Sequence, residues 1–196
     1  MPFTNFIQTH PPSADLRKAD TSLVKNYEKR LPVDILDLWT SYGFGDYSEG
    51  LLRLINPDDY NNILYEWLNK KDMSRIPILI TAFGEIFYYR DLGITFSDEG
   101  DEIHHEDFNL LDVHFKNIEV CTWSSISFFE DYLCDENIIE SMLRKSLFEQ
   151  SVEKSGRLAE NECFYFVPAL ALGGTESIEC IAKGDMNVQL SILFQL

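Results

Sequence analysis

The chain has 196 residues, 45% of them hydrophobic, with fourteen Phe, nine Tyr and three Trp. That is enough apolar surface for one sizeable core or two small ones, and more than disordered chains carry. Thirty-three acids against sixteen bases give a net charge of −17, and residues 31–140, with twenty-three acids and six bases, account for the whole imbalance. Such a field repels nucleic-acid phosphates and anionic lipid while it speeds the approach of cationic proteins.

The first residues, "MPFTNFIQTHPPSADLRK", lack a basic start followed by an apolar run, and no stretch approaches the ~18 apolar residues of a membrane span. The expectation is a cytoplasmic protein. Asp20 is placed to cap a short helix carrying Leu23, Val24 and Tyr27 on one face, with Pro32 ending it. Pro32 also suits the first position of a second helix, whose face is Ile35, Leu36, Leu38, Trp39 and Tyr42 and whose stop is Gly43. "GFGDYSEG" reads as that stop and a turn.

"GLLRLI" reads as a strand. Asn56 and Pro57 then open the clearest helix, with Tyr60, Ile63, Leu64, Trp67 and Leu68 at helical spacing. "IPILITAFGEIFYYRDLG" divides at Gly84 into a hairpin, and a further strand pair surrounds "LDVHFKNIEVCTW". Ser124 or Ser125 caps a helix containing Phe128, Phe129, Tyr132 and Leu133. Asp135 and Glu136 open another that carries Ile138, Ile139, Met142, Leu143 and Leu147, with Arg144 and Lys145 toward its end. Residues 151–162 look like a polar connection, "CFYFVPALALGG" and "IECIAKG" like strands, and Asp185 caps a last helix. The fold class is α+β: a mostly antiparallel sheet packed with several short helices, in one compact body or two closely packed lobes.

The sequence offers little catalytic machinery. Gly43, Gly45 and Gly50 do not fit a dinucleotide fingerprint, and neither a phosphate-binding loop nor a nucleophile elbow occurs. Cys121, Cys134, Cys163 and Cys180 stand far apart and read as buried reduced thiols. Trp39, Trp67, Trp123 and the "FYYR" run read as core.

"SDEGDEIHHEDF", residues 97–108, holds six carboxylates and no Lys or Arg. His104, His105, Glu106 and Asp107, with His114 nearby, are metal-ligand types, yet adjacent residues on a strand point to opposite faces. No metal or other cofactor is expected. Like charges crowded within a Debye length of roughly 8 Å give an isolated fold nothing, whereas opposed by Arg and Lys they speed association. Asp98, Glu99, Asp101, Glu102, Glu106 and Asp107 are therefore the candidate partner-binding residues, with a solvated loop as the plainer alternative.

"LPVDILDLWTSYGFGDYSEGLLRLINPDDY", "IPILITAFGEIFYYR" and "FYFVPALALGGTESIECIAKGD…LSILFQL", in that order, resemble proteins that join an N-terminal GAD-like domain to a C-terminal type VI secretion immunity domain. The resemblance runs through most of residues 20–196 and divides the chain into 1–115 and 116–196. It implies a non-enzymatic immunity protein that binds a cognate nuclease effector, typically a DNase. The effector would be a basic protein, with no direct nucleic-acid or membrane contact by this chain. An acidic adaptor or regulatory binding module is the alternative function. The shared motifs are structural, so the resemblance carries no binding residues over, and oligomeric state stays open.

Overall fold

A computed structural model describes residues 3–196. Its centre is a six-stranded antiparallel meander in chain order: β1 (Gly45–Tyr47), β2 (Leu52–Leu54), β3 (Arg75–Thr81), β4 (Ile86–Phe96), β5 (Glu102–Asp112) and β6 (Asn117–Thr122). β7 (Glu162–Phe166) and β8 (Ile181–Asp185) form a separate antiparallel pair. The expected α+β class with an antiparallel sheet is what the chain adopts. The division anticipated at 115/116 falls in the turn between β5 and β6, within one sheet.

Both faces of the sheet are covered along β3, the first half of β4 and the second half of β5. In β4, Phe87 and Tyr89 join one core cluster while Ile86 and Tyr88 join the other, as the two-residue period of a strand requires. The larger cluster receives Phe6 from α1 (Thr4–Thr9), Tyr27 from α2 (Thr21–Tyr27) and Ile35 and Trp39 from α3 (Val33–Ser41), together with Phe128 and Phe129. The smaller receives Leu64 from α4 (Pro57–Trp67) and Met186, Leu190 and Leu193 from α6 (Met186–Gln195). Because it lies between two helical layers, β3 buries every residue from Ile76 to Thr81 and reads as a continuous apolar run. Ile76, Ile78, Leu79 and Ile80 each contribute roughly 1.5–3 kcal/mol on leaving water.

Three helix starts follow the expected capping chemistry. The Asp20 carboxylate accepts from the Leu23 N–H, the Asn56 side chain from the Asp58 N–H, and the Asp185 carboxylate from the Val188 N–H. Pro32 sits one place earlier than expected, at the N-cap of α3. At the other end of α3, Gly43 has φ +113°, and a Cβ there would lie 2.7 Å from the Arg17 carbonyl carbon, so the turn admits only glycine.

Elsewhere the structure departs from expectation. "GFGDYSEG" contributes the short strand β1. α1 was not anticipated; it forms because Phe6 is fully buried against Phe129, their ring centroids 5.1 Å apart. The helix expected from Asp135 through Leu147 stops early: Ile138–Met142 is a wide π-type turn, and Arg144 takes left-handed φ 54°. α5 (Lys145–Ser155) then begins and runs into the segment read as a polar connection, since Phe148 and Ser151 bury one face of it. After Phe166 the chain leaves β7 through a cis Val167–Pro168 bond and a 3-10 turn at Leu170–Leu172, and β8 begins only at Ile181. The four cysteines are free, but only Cys163 is buried. Trp39 is core, whereas Trp123 is 67% exposed, contrary to its reading as core.

Candidate functional site

The acidic stretch is half turn and half strand. Ser97 closes a tight turn: its N–H donates to the Asp101 carbonyl at 2.9 Å, its carbonyl accepts from the Gly100 N–H at 3.0 Å, and its hydroxyl accepts from the Asp101 N–H at 3.0 Å. From Glu102 onward the residues belong to β5 and pair with β4, Phe96 opposite Glu102 and Ile94 opposite His104. β3 ends opposite Arg90 and β6 ends opposite Phe108, so neither accompanies the hairpin further. Residues 92–105 therefore extend as a two-stranded arm, about 20 Å from Arg90 to Phe96 at ~3.3 Å per residue.

Asp98, Glu99, Asp101 and Glu102 are exposed at the end of this arm. Leu92, Ile94, Phe96 and Ile103 are exposed along it, Phe96 to 68%. Solvated apolar side chains beside a cluster of like charges do nothing for the isolated fold, and this combination is typical of surfaces that another protein covers.

Glu106 and Asp107 are placed differently. Asp107 is fully buried, and both its oxygens are gripped by the Arg90 guanidinium while the Asn109 amide donates at 2.6 Å. Glu106 is half-buried and accepts from the Ser125 N–H at 3.0 Å; burial pushes its carboxyl above the usual range. These two hold the root of the arm to the body, so the candidate set divides into four residues that face solvent and two that face inward. His104 and His105 alternate across β5, the latter bonded to the Thr95 hydroxyl at 2.7 Å, and His114 lies in the body. The metal-ligand types near the stretch thus point to three separate places.

A second cluster escaped the sequence reading. Glu85, 1% exposed, accepts from the Thr81 hydroxyl and the Arg144 guanidinium, and its carboxylate lies 3.3 Å from His114 Nε2. Arg144 also reaches Glu176 at 3.0 Å. Burial alone would raise the Glu85 carboxyl, but Arg144, His114 and Thr81 together hold it well below the usual carboxylate range. His114 Nε2 also lies 3.1 Å from the Phe83 carbonyl. Both neighbours are acceptors, so Nε2 carries the proton. A carboxylate, an imidazole and a hydroxyl in one place resemble catalytic parts, but here they are shut from solvent and serve to join the β3–β4 turn to the start of α5. The signal available beforehand was a lone Glu inside the apolar run "TAFGEIFYY".

A polar cleft of about 780 Å³ lies between residues 15–17, the start of α4 and residues 158–161. Its best-buried cation, Arg53, is already engaged by Asp46 at 2.7 Å and by the Ala159 and Glu160 carbonyls.

Residues 2–97 match the GAD-like domain, and residues 124–196 match the C-terminal domain of T6SS immunity protein Tdi1. The chain belongs to the type VI secretion immunity proteins of this two-part family. The solved structure described as Atu4351 from Agrobacterium tumefaciens is similar to this immunity protein with a TM-score of 0.74 at 16% identity, covering 98% of this chain and 88% of that one. It shares the fold. No curated protein matches. Residues 98–123 of the immunity protein, which include the end of the arm and all of β5 and β6, lie between the two matched segments. No helix among the described residues is long and apolar enough to cross a membrane.

Proposed function

We propose that this immunity protein neutralises its effector in the cytoplasm by binding it without catalysis, that the effector is a basic nuclease, and that the β4–β5 arm is a principal docking element. The observation that carries the reading is the arm itself: four exposed carboxylates at its end, exposed Ile94 and Phe96 behind them, and no Lys or Arg from residue 91 to residue 115. A nuclease grips phosphates with cations. An acidic arm meets the same cations and competes with nucleic acid for them, while the apolar residues supply the desolvated contact that sets dissociation.

Coexpression with the effector encoded beside the gene tests the function, and viability restored by this chain is the expected outcome. Replacing Asp98, Glu99, Asp101 and Glu102 together with Lys tests the placement. Association measured by surface plasmon resonance at low salt should slow by about tenfold or more, and the difference should shrink as ionic strength rises. Unchanged association kinetics would move docking off the arm while leaving immunity intact.

A further inference from the structure

The two edges of the six-stranded sheet are finished differently. At β1 the edge is closed by the N-terminal segment: Pro12 and Arg17 bridge to Tyr47 and Phe44, and the Ser13 N–H donates to the Asp46 carbonyl at 2.9 Å. At β6 nothing comparable is present among the described residues. β6 is the last strand in the sheet, and residues 117–120 are exposed. Proteins usually blunt such an edge with lysine, proline or a covering loop. β6 has none of these within Asn117–Thr122. Among the described residues its local cover comes from side chains of the strand itself: Asn117 accepts from the Ile118 N–H at 2.9 Å and donates to the Glu119 carboxylate at 2.9 Å, and the Cys121 thiol reaches the Glu119 carbonyl at 3.9 Å.

The strand also presents apolar side chains to water. Ile118 and Val120, 47% and 46% exposed, share one face, and Glu119 lies on the other. Exposed Phe115 and Trp123 bracket the strand. β6 runs antiparallel to β5, so its direction past Thr122 leads along the open side of the arm toward the acidic tip.

We propose that β6 is a strand-addition site, at which an extended segment of the cationic effector adds a seventh strand to the sheet. The proposal rests on the effector-binding reading above and gives it a mode. The register specifies the occupant's chemistry: apolar residues opposite Ile118 and Val120, and a Lys or Arg opposite Glu119 on the other face. Main-chain hydrogen bonds supply affinity, and the alternation supplies specificity. A second copy of this chain is a poorer occupant. Two-fold pairing of β6 with itself sets the two Glu119 carboxylates opposite or one register position apart on the same face, between bodies that each carry −17.

The test compares two full-length variants with the same charge change, Ile118→Lys/Val120→Lys on β6 and Val188→Lys/Ile192→Lys on the exposed face of α6, each titrated against the effector encoded beside the gene. The β6 variant is expected to lose at least tenfold in affinity and the α6 variant to stay within about twofold of the parent. Equal losses, which would reflect charge alone, or no loss in either variant, overturn strand addition and leave the immunity reading standing. A parent protein that fails to bind the effector removes both. Should the β6 variant melt far below the parent, amide hydrogen exchange on the unmodified complex decides: at least tenfold slowing across residues 117–122 supports the added strand, and unchanged exchange there rejects it.

Discussion

Glu85 keeps its charge in the interior because three partners from distant parts of the chain converge on it. Thr81 stands one turn upstream, His114 follows β5, and Arg144 precedes α5. Removing one partner leaves a desolvated carboxylate, so Arg144→Met is expected to cost about 3–5 kcal/mol in urea denaturation, and the double variant Glu85→Gln/Arg144→Met is expected to recover much of it. The pH dependence has a definite sign. The folded-state pKa of Glu85 lies below its ordinary value of 4.5, so its contribution is complete above that value and is lost as pH falls through the acid range toward the folded pKa. Stability of the parent should therefore fall more steeply below pH 4.5 than that of Glu85→Gln. A glutamate in "TAFGEIFYY" signals that some partner exists. Arg144 lies fifty-nine residues away in an irregular turn, and no local pattern joins the two.

Elements whose signals are local were legible. Asp20, Asn56 and Asp185 are caps by sequence and caps in the structure, since a side-chain oxygen three or four residues ahead of an apolar face has a nearby N–H to satisfy whatever surrounds it. Asn56→Ala is accordingly expected to lower stability by about 1 kcal/mol, with the chemical denaturation midpoint as the measure. Elements shaped by their neighbours were not legible. α5 starts where Arg144 is drawn toward Glu85, and the arm projects because β3 and β6 stop beside it. The alternation of Leu92, Ile94 and Phe96 is that of a strand half-buried in a sheet, and alternation does not record how far the adjacent strands run.

At the scale of the molecule, one core crosses the interval between the two matched segments. Phe6, Trp39 and Phe87 lie in the same cluster as Phe128, Phe129, Phe148 and Phe164, and the Phe108 and Phe128 rings stack at 4.5 Å. β4 pairs with β5 over its whole length, from Ile86 to Phe96. A fragment ending at residue 97 would keep the GAD-like segment but lose that pairing and one wall of the core. It is expected to show no cooperative thermal transition, whereas the full chain should unfold in a single step measured by circular dichroism. The same cohesion gives the arm a rigid root, with Asp107 locked to Arg90 and Glu106 to the Ser125 backbone.

The sequence by itself determined the α+β class, the caps, the glycine turn at Gly43, the excess of acid in the middle of the chain and the family resemblance, because each is written in neighbouring residues or in composition. Tertiary structure alone decided which acids reach solvent. Asp98, Glu99, Asp101 and Glu102 stand at the end of a projecting hairpin, while Asp107, only five residues beyond Glu102, is buried against an arginine. The physical reason is that a carboxylate's exposure depends on where adjoining strands end and what packs across them, and those are properties of the assembled sheet.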